Sequence, residues 1–69
     1  MTGSELRSIR QAFGLSAAAM GRALGYNGPK ANIAVLIRRF ERDARIIPKP
    51  VARLAEMFRQ HGLPSEWCS

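Results

Sequence analysis

The single histidine, His61, and the single cysteine, Cys68, do not make a ligand set for zinc or its relatives, which need three or four convergent donors. Ser4, Ser8 and Ser16 have no histidine and carboxylate at a spacing that suggests a nucleophile. The acids Glu5, Glu41, Asp43, Glu56 and Glu66 read as partners for arginine rather than as a catalytic pair. Gly25-Tyr26-Asn27-Gly28 is too short for a dinucleotide loop, and turn chemistry is its plain reading. No enzymatic activity, cofactor, metal or small-molecule ligand is expected. The chemistry that remains is arginine's. Nine of the eleven basic residues are arginine, the formal net charge is +6 and the isoelectric point is about 11.2. A planar guanidinium donates two parallel hydrogen bonds to a phosphate or to a guanine edge, so the expected partner is a polyanion. Arg38, Arg39 and Arg42 cluster in one stretch, "GYNGPKANIAVLIRRFERD", alongside Ile33, Ile37 and Phe40.

These arginines need a scaffold, and the chain is short for building one. At 69 residues it forms one domain whose core is only marginally sufficient, so it must pack tightly or associate. Apolar residues recur at three and four, and each run is bracketed by Ser, Gly or Pro, which reads as all-α. A first helix is expected from about Ser4 to Phe13, burying Leu6, Ile9 and Phe13, with Ser4 or Thr2 as its cap and Gly14 at its end. A second follows Ser16 as N-cap, turns Met20 and Leu24 inward and stops at Gly25. The third runs from about Lys30 or Asn32 to Arg42. Pro48 and Pro50 suit a first turn, so a fourth runs from about Pro50 to His61, burying Val51, Leu54, Ala55 and Phe58 and stopping at Gly62. The tail 62–69 carries Leu63 and Trp67. There is no secretory leader, no apolar run of about 18 residues and one cysteine beside the C-terminus, so a cytoplasmic setting is expected.

Within this frame "ELRSIRQAFGLSAAAMGRALGY", "IRRFERDARIIP" and "VARLAEMF" stand in an order that resembles the helix-turn-helix domain of the lambda-repressor and Cro family, over Ser4 to Arg59. The resemblance implies a compact four- to five-helix DNA-binding domain whose third helix lies in the major groove. It places base contacts at Ala34, Val35, Arg38 and Arg39. It also implies a partly buried ion pair between Arg10 and Glu41, tying the first helix to the third, and a small residue at Gly21 packed against Ile37. The chain's own chemistry agrees at Gly21, since a glycine inside a short helix costs about 1 kcal/mol relative to alanine and a close helix crossing would use the missing side chain.

Two departures from that pattern matter. Ala17 stands where relatives often have a phosphate-binding glutamine, leaving only backbone amides there. Between Gly25 and Ile37 the chain is longer by about six residues than the usual tight turn. Residues 27–32 then form a longer loop with Lys30 and Asn32 near phosphates, the favoured expectation, or start the third helix early with Pro29 at its first position and Asn27 or Gly28 as cap.

A groove-lying helix buries one stripe and offers the opposite face, here Ala34, Val35, Arg38, Arg39 and Arg42. An arginine forks onto guanine O6 and N7, and Val35 can meet a thymine methyl. Arg38 and Arg39 lie about 100° apart, so one of them turns toward the backbone, with Arg39 the expected reader. Arg42, Arg45 and Lys49 are expected on phosphates. Met57, Leu63 and Trp67 are candidates for a pairing surface, because one small module makes few contacts and such domains commonly bind as homodimers on inverted-repeat operators. The expected function is a small sequence-specific transcriptional regulator of double-stranded DNA, a nucleoid-associated repressor or autorepressor of phage or bacterial type. The alternatives are an antitoxin or co-regulator that binds a protein through the apolar tail, and a nonspecific nucleic-acid binder that uses charge alone.

Overall fold

A computed structural model describes residues 1–64 and contains four helices: α1 (Gly3–Ala12), α2 (Ala17–Ala23), α3 (Lys30–Glu41) and α4 (Lys49–His61). There are no strands among the described residues. None of the helices is long and apolar enough to cross a membrane.

α1 starts one residue earlier than its sequence pattern suggests. Thr2, rather than Ser4, is the cap: its hydroxyl accepts from the Glu5 amide while the Glu5 carboxylate accepts from the Thr2 amide, at 3.2 and 3.1 Å. This reciprocal box satisfies two otherwise orphaned donors. Phe13 falls just past the last helical residue and is half-buried. The Ser16 hydroxyl accepts from the Ala19 amide at 3.1 Å and opens α2. α2 ends in a left-handed residue, Gly25 at φ +94°, with the Tyr26 amide reaching back to the Gly21 carbonyl at 3.0 Å. The turn thus delivers Tyr26 against Phe40 of α3, ring centroids 6.3 Å apart.

The start of α3 corrects the favoured expectation for residues 27–32. Lys30 and Asn32 are helical, not in a loop, and Pro29 is the residue just outside the helix rather than its first residue. The extended conformation of Pro29, ψ 137°, leaves it as the hinge between turn and helix, with no side-chain cap. Lys30–Ile33 thus form the first turn of α3. α4 is opened by Pro48, with Pro50 in its first turn where a missing amide hydrogen is tolerated. On its outer face the Arg59 guanidinium donates to Glu56 and holds that carboxyl below the usual range.

The core gathers Leu6 and Ile9 of α1, Met20 of α2 and Leu24 just after it, Ile33, Ile37 and Phe40 of α3, and Ala55 and Phe58 of α4. α2 and α3 make the most extensive pairing. They cross at Gly21, where a Cβ would collide with the Ile33 Cγ2 methyl and come within 3.2 Å of Ile37 Cγ1. Ile37 was the expected neighbour. Ile33, one turn before it on the same stripe, presses closer.

A second close approach joins α1 to the far end of α3. Asp43 follows α3 in the left-handed conformation, φ +58°, unusual for a residue other than glycine, and the Ala44 amide bonds back to the Arg39 carbonyl at 2.9 Å. That geometry aims the Asp43 carboxylate at the Gly3 amide, which donates to it at 2.9 Å. The acid thereby sits at the positive end of the α1 dipole. A Cβ on Gly3 would land on the Phe40 and Glu41 carbonyls, 2.6 Å from the Glu41 carbonyl carbon. Backbone has no rotamer by which to yield. Gly3→Ala is therefore expected to lower stability by about 1–2 kcal/mol in a denaturant titration, through overpacking and loss of the Asp43 bond. An unchanged midpoint would show that the start of α1 is not held against α3.

Candidate nucleic-acid interface

Four side chains build the support for the outer face of α3. Arg10 lies in the last turn of α1, next to buried Ile9. Its Nε donates to Glu41 Oε2 at 2.7 Å and its Nη2 to Glu41 Oε1 at 3.2 Å, a two-pronged pair, while Nη1 donates to the Leu15 carbonyl at 3.0 Å. The side chains of Arg10 and Glu41 are only 20% and 7% exposed. One guanidinium thus ties α1, the turn before α2 and the C-terminal end of α3. At the other end Gly21 lets Ile33 and Ile37 seat against α2.

With Ile33, Ile37 and Phe40 buried, α3 turns Lys30, Ala31, Asn32, Val35, Arg38, Arg39 and Arg42 outward. Two clefts adjoin along this face. One runs between the start of α2 (Ser16, Ala17, Ala18) and Lys30, Ala31 and Ala34 of α3. The other runs between Arg7 and Arg10 of α1 and Glu41 and Arg42 at the end of α3. Val35 and Arg38 line both. Among the described residues, Arg7, Arg38, Arg39 and Arg42 have no ion-pair partner, since Glu41 is taken by Arg10. The face carries uncompensated positive charge around an aliphatic side chain, an arrangement able to bind a phosphate chain and meet an apolar edge at once.

The sequence-derived residues distribute unevenly over this surface. Ala34, Val35, Arg38, Arg42 and Lys30 come together in the two clefts. Arg39 and Asn32 line neither, because they point about 100° around the helix from Arg38 and Ala31. Arg45, in the connection after α3, and Lys49, the first residue of α4, are exposed and also outside the clefts. Met57 and Leu63 share a groove: with Leu54 and Phe58 they line an apolar cleft at the end of α4, where Met57 is 57% exposed. Trp67 lies outside the described residues. Arg7 was missed by sequence reasoning, although its place three residues before Arg10 puts both on one side of α1. Gly3 and Asp43 were missed as a pair because only the fold brings them together.

Compared with known proteins, the chain matches no family model, no curated protein and no solved structure.

Proposed function

We propose that this chain is a sequence-specific DNA-binding protein of the helix-turn-helix kind, in which α2 and the turn at Gly25 position α3 as the recognition helix in the major groove. Its role is that of a small transcriptional regulator, a nucleoid-associated repressor or autorepressor of the type found in phages and bacteria. The observation that carries the reading is the outer face of α3, where Val35 and Arg38 sit at the junction of two cationic clefts. Arg38 then takes the base-reading role with Val35 and Ala34, and Arg39 falls to the flank. Lys30, Arg42 and Arg7 lie where phosphates of a duplex held along that face would pass, with Arg45 and Lys49 beyond them. Asn32 joins the flank beside Arg39.

A homodimer on an inverted repeat is part of this proposal. Half-sites of such regulators are commonly spaced about 34–36 Å apart, and the longest dimension of the domain is 28 Å, so two copies fit side by side. The apolar groove around Met57 and Leu63 is the candidate pairing surface. The same groove is what favours the second reading, an antitoxin or co-regulator that docks on another protein.

Selection of bound duplexes from random DNA, followed by titration of selected and random duplexes across a salt series, tests the reading. A selected site is expected to be preferred by about 10³-fold or more, with two protomers per duplex in sedimentation. Arg38→Ala should cost about 1–3 kcal/mol on that site and relax preference at one base position. Lys49→Ala or Arg42→Ala should weaken all duplexes alike and reduce the salt slope by about one. Equal losses from Arg38→Ala and Lys49→Ala on every duplex would leave a charge binder in place of a sequence reader.

A further inference from the structure

Val35 is the feature of the α3 face that positive charge does not explain. It is a branched aliphatic residue, 43% exposed, between Ala31 and Ala34 on one side and Arg38 and Arg42 on the other. Among the described residues its outer part is left open to solvent. In the major groove the one apolar projection is the C5 methyl of a pyrimidine, carried by thymine and by 5-methylcytosine but not by cytosine. Ala31 and Ala34 are small enough to let the helix backbone come close, which brings a short side chain such as valine within reach of that methyl.

The neighbour of Val35 adds the second half. Residues three apart on a helix are adjacent on its surface, with Cβ atoms about 5–6 Å apart, and successive bases on a strand are about 3.4 Å apart. The longer arm of Arg38 spans the difference, so its fork reaches the base next to the one that Val35 touches. A guanidinium is weakly hydrated and packs flat against apolar groups, so the methyl beneath it also helps to orient it. Arg39, on the flank, cannot share this position.

Resting on the DNA-binding reading above, we propose that Val35 and Arg38 together read a pyrimidine–guanine step through the pyrimidine's 5-methyl group, so that TpG and 5-methyl-CpG are accepted and unmethylated CpG is disfavoured. The protein would then respond to cytosine methylation at sites where CpG occupies the step.

The test uses the full chain and the selected duplex. Each thymine of one half-site is replaced singly by deoxyuridine, and the pyrimidine before the critical guanine is also set to cytosine and to 5-methylcytosine. One position is expected to lose about three- to fivefold in affinity on going from thymine to uracil, the value of one buried methyl. Cytosine should bind as weakly as or more weakly than uracil, with 5-methylcytosine recovering the loss. Val35→Ala, an exposed change that leaves the core intact, should bind the thymine and uracil duplexes equally, and Arg38→Ala should lose discrimination at the adjacent guanine. A selected site without a pyrimidine–guanine step, uniform tolerance of uracil, or a thymine preference that survives Val35→Ala would overturn this inference while leaving the DNA-binding reading standing. Failure to select any site would overturn the reading itself.

Discussion

Glu41→Ala is expected to lower the stability of the chain by about 3 kcal/mol, a large fraction of the total for so small a domain. The cost comes less from the attraction that is lost than from what is left behind. Arg10 is four-fifths buried against the end of α3, and without Glu41 its guanidinium keeps one hydrogen-bond partner among the described residues, the Leu15 carbonyl. Removing one member of a buried pair strands the other charge, whereas replacing both by apolar residues of similar size is often neutral or stabilising. Urea titrations of Glu41→Ala, Arg10→Met and the double variant Arg10→Met/Glu41→Leu distinguish these cases. The double variant should recover most of the loss in Glu41→Ala. If Glu41→Ala moved the midpoint no more than an exposed change such as Glu56→Ala, the pair would have to be solvated, and α1 would not be anchoring α3. On the DNA-binding proposal the recovered double variant has a second use. Its restored stability without the Arg10–Glu41 fork would show whether that fork is needed only to hold the fold or also to orient Arg38 and Arg42 beside it.

The parts of this fold that were legible in the sequence are those whose physics is local. Ser16, Gly14, Gly25 and Gly62 mark helix ends because a side-chain cap or a left-handed residue is a property of one position and its near neighbours. The stripe Ile33, Ile37, Phe40 was legible for the same reason. The start of α3 was left open between Lys30 and Asn32, with a loop over 27–32 favoured, because Pro29 supplies no capping side chain and Asn27 and Gly28 suit either a turn or a cap. What settles it is the seat for Ile33 on α2, a contact between elements. The end of α3 fell within one residue of the expected Arg42, but the bond between Gly3 and Asp43 spans 40 positions in the chain and had no local sign. For the candidate site, the positive charge was visible as composition and the outward arginines as periodicity. The order of Arg38 and Arg39 depends on how α3 is rotated against α1 and α2. Helical spacing set the two about 100° apart and left Arg39 as the expected reader, whereas it is Arg38 that lines both clefts.

Gly21→Leu is expected to lower stability by about 3 kcal/mol, at the upper end of the usual cost of overpacking. Two effects oppose each other at this position. Any side chain gains helix propensity over glycine, by up to about 1 kcal/mol for alanine. Against that, the first carbon of that side chain would enter the space of the Ile33 Cγ2 methyl and stand 3.2 Å from Ile37 Cγ1. Both isoleucines are β-branched and stiff about χ1, and Ile37 is fully buried, so neither can swing aside cheaply. The steric term therefore wins, and even Gly21→Ala should lose stability despite its better propensity. The decisive comparison is the pair Gly21→Ala and Ile33→Ala. Alone, Ile33→Ala removes buried volume and should cost about 2–4 kcal/mol. In combination the alanine at 21 partly fills the space that Ile33 vacates, so the double variant should be more stable than the sum of the two losses implies. Simple additivity in denaturant titrations would mean that α2 and α3 do not meet at this point. On the DNA-binding proposal the angle set here decides how far the Val35 and Arg38 face stands out from α2. Gly21→Ala should then reduce preference for a selected site over random duplex by more than it reduces binding to random duplex, even under conditions where the variant remains fully folded.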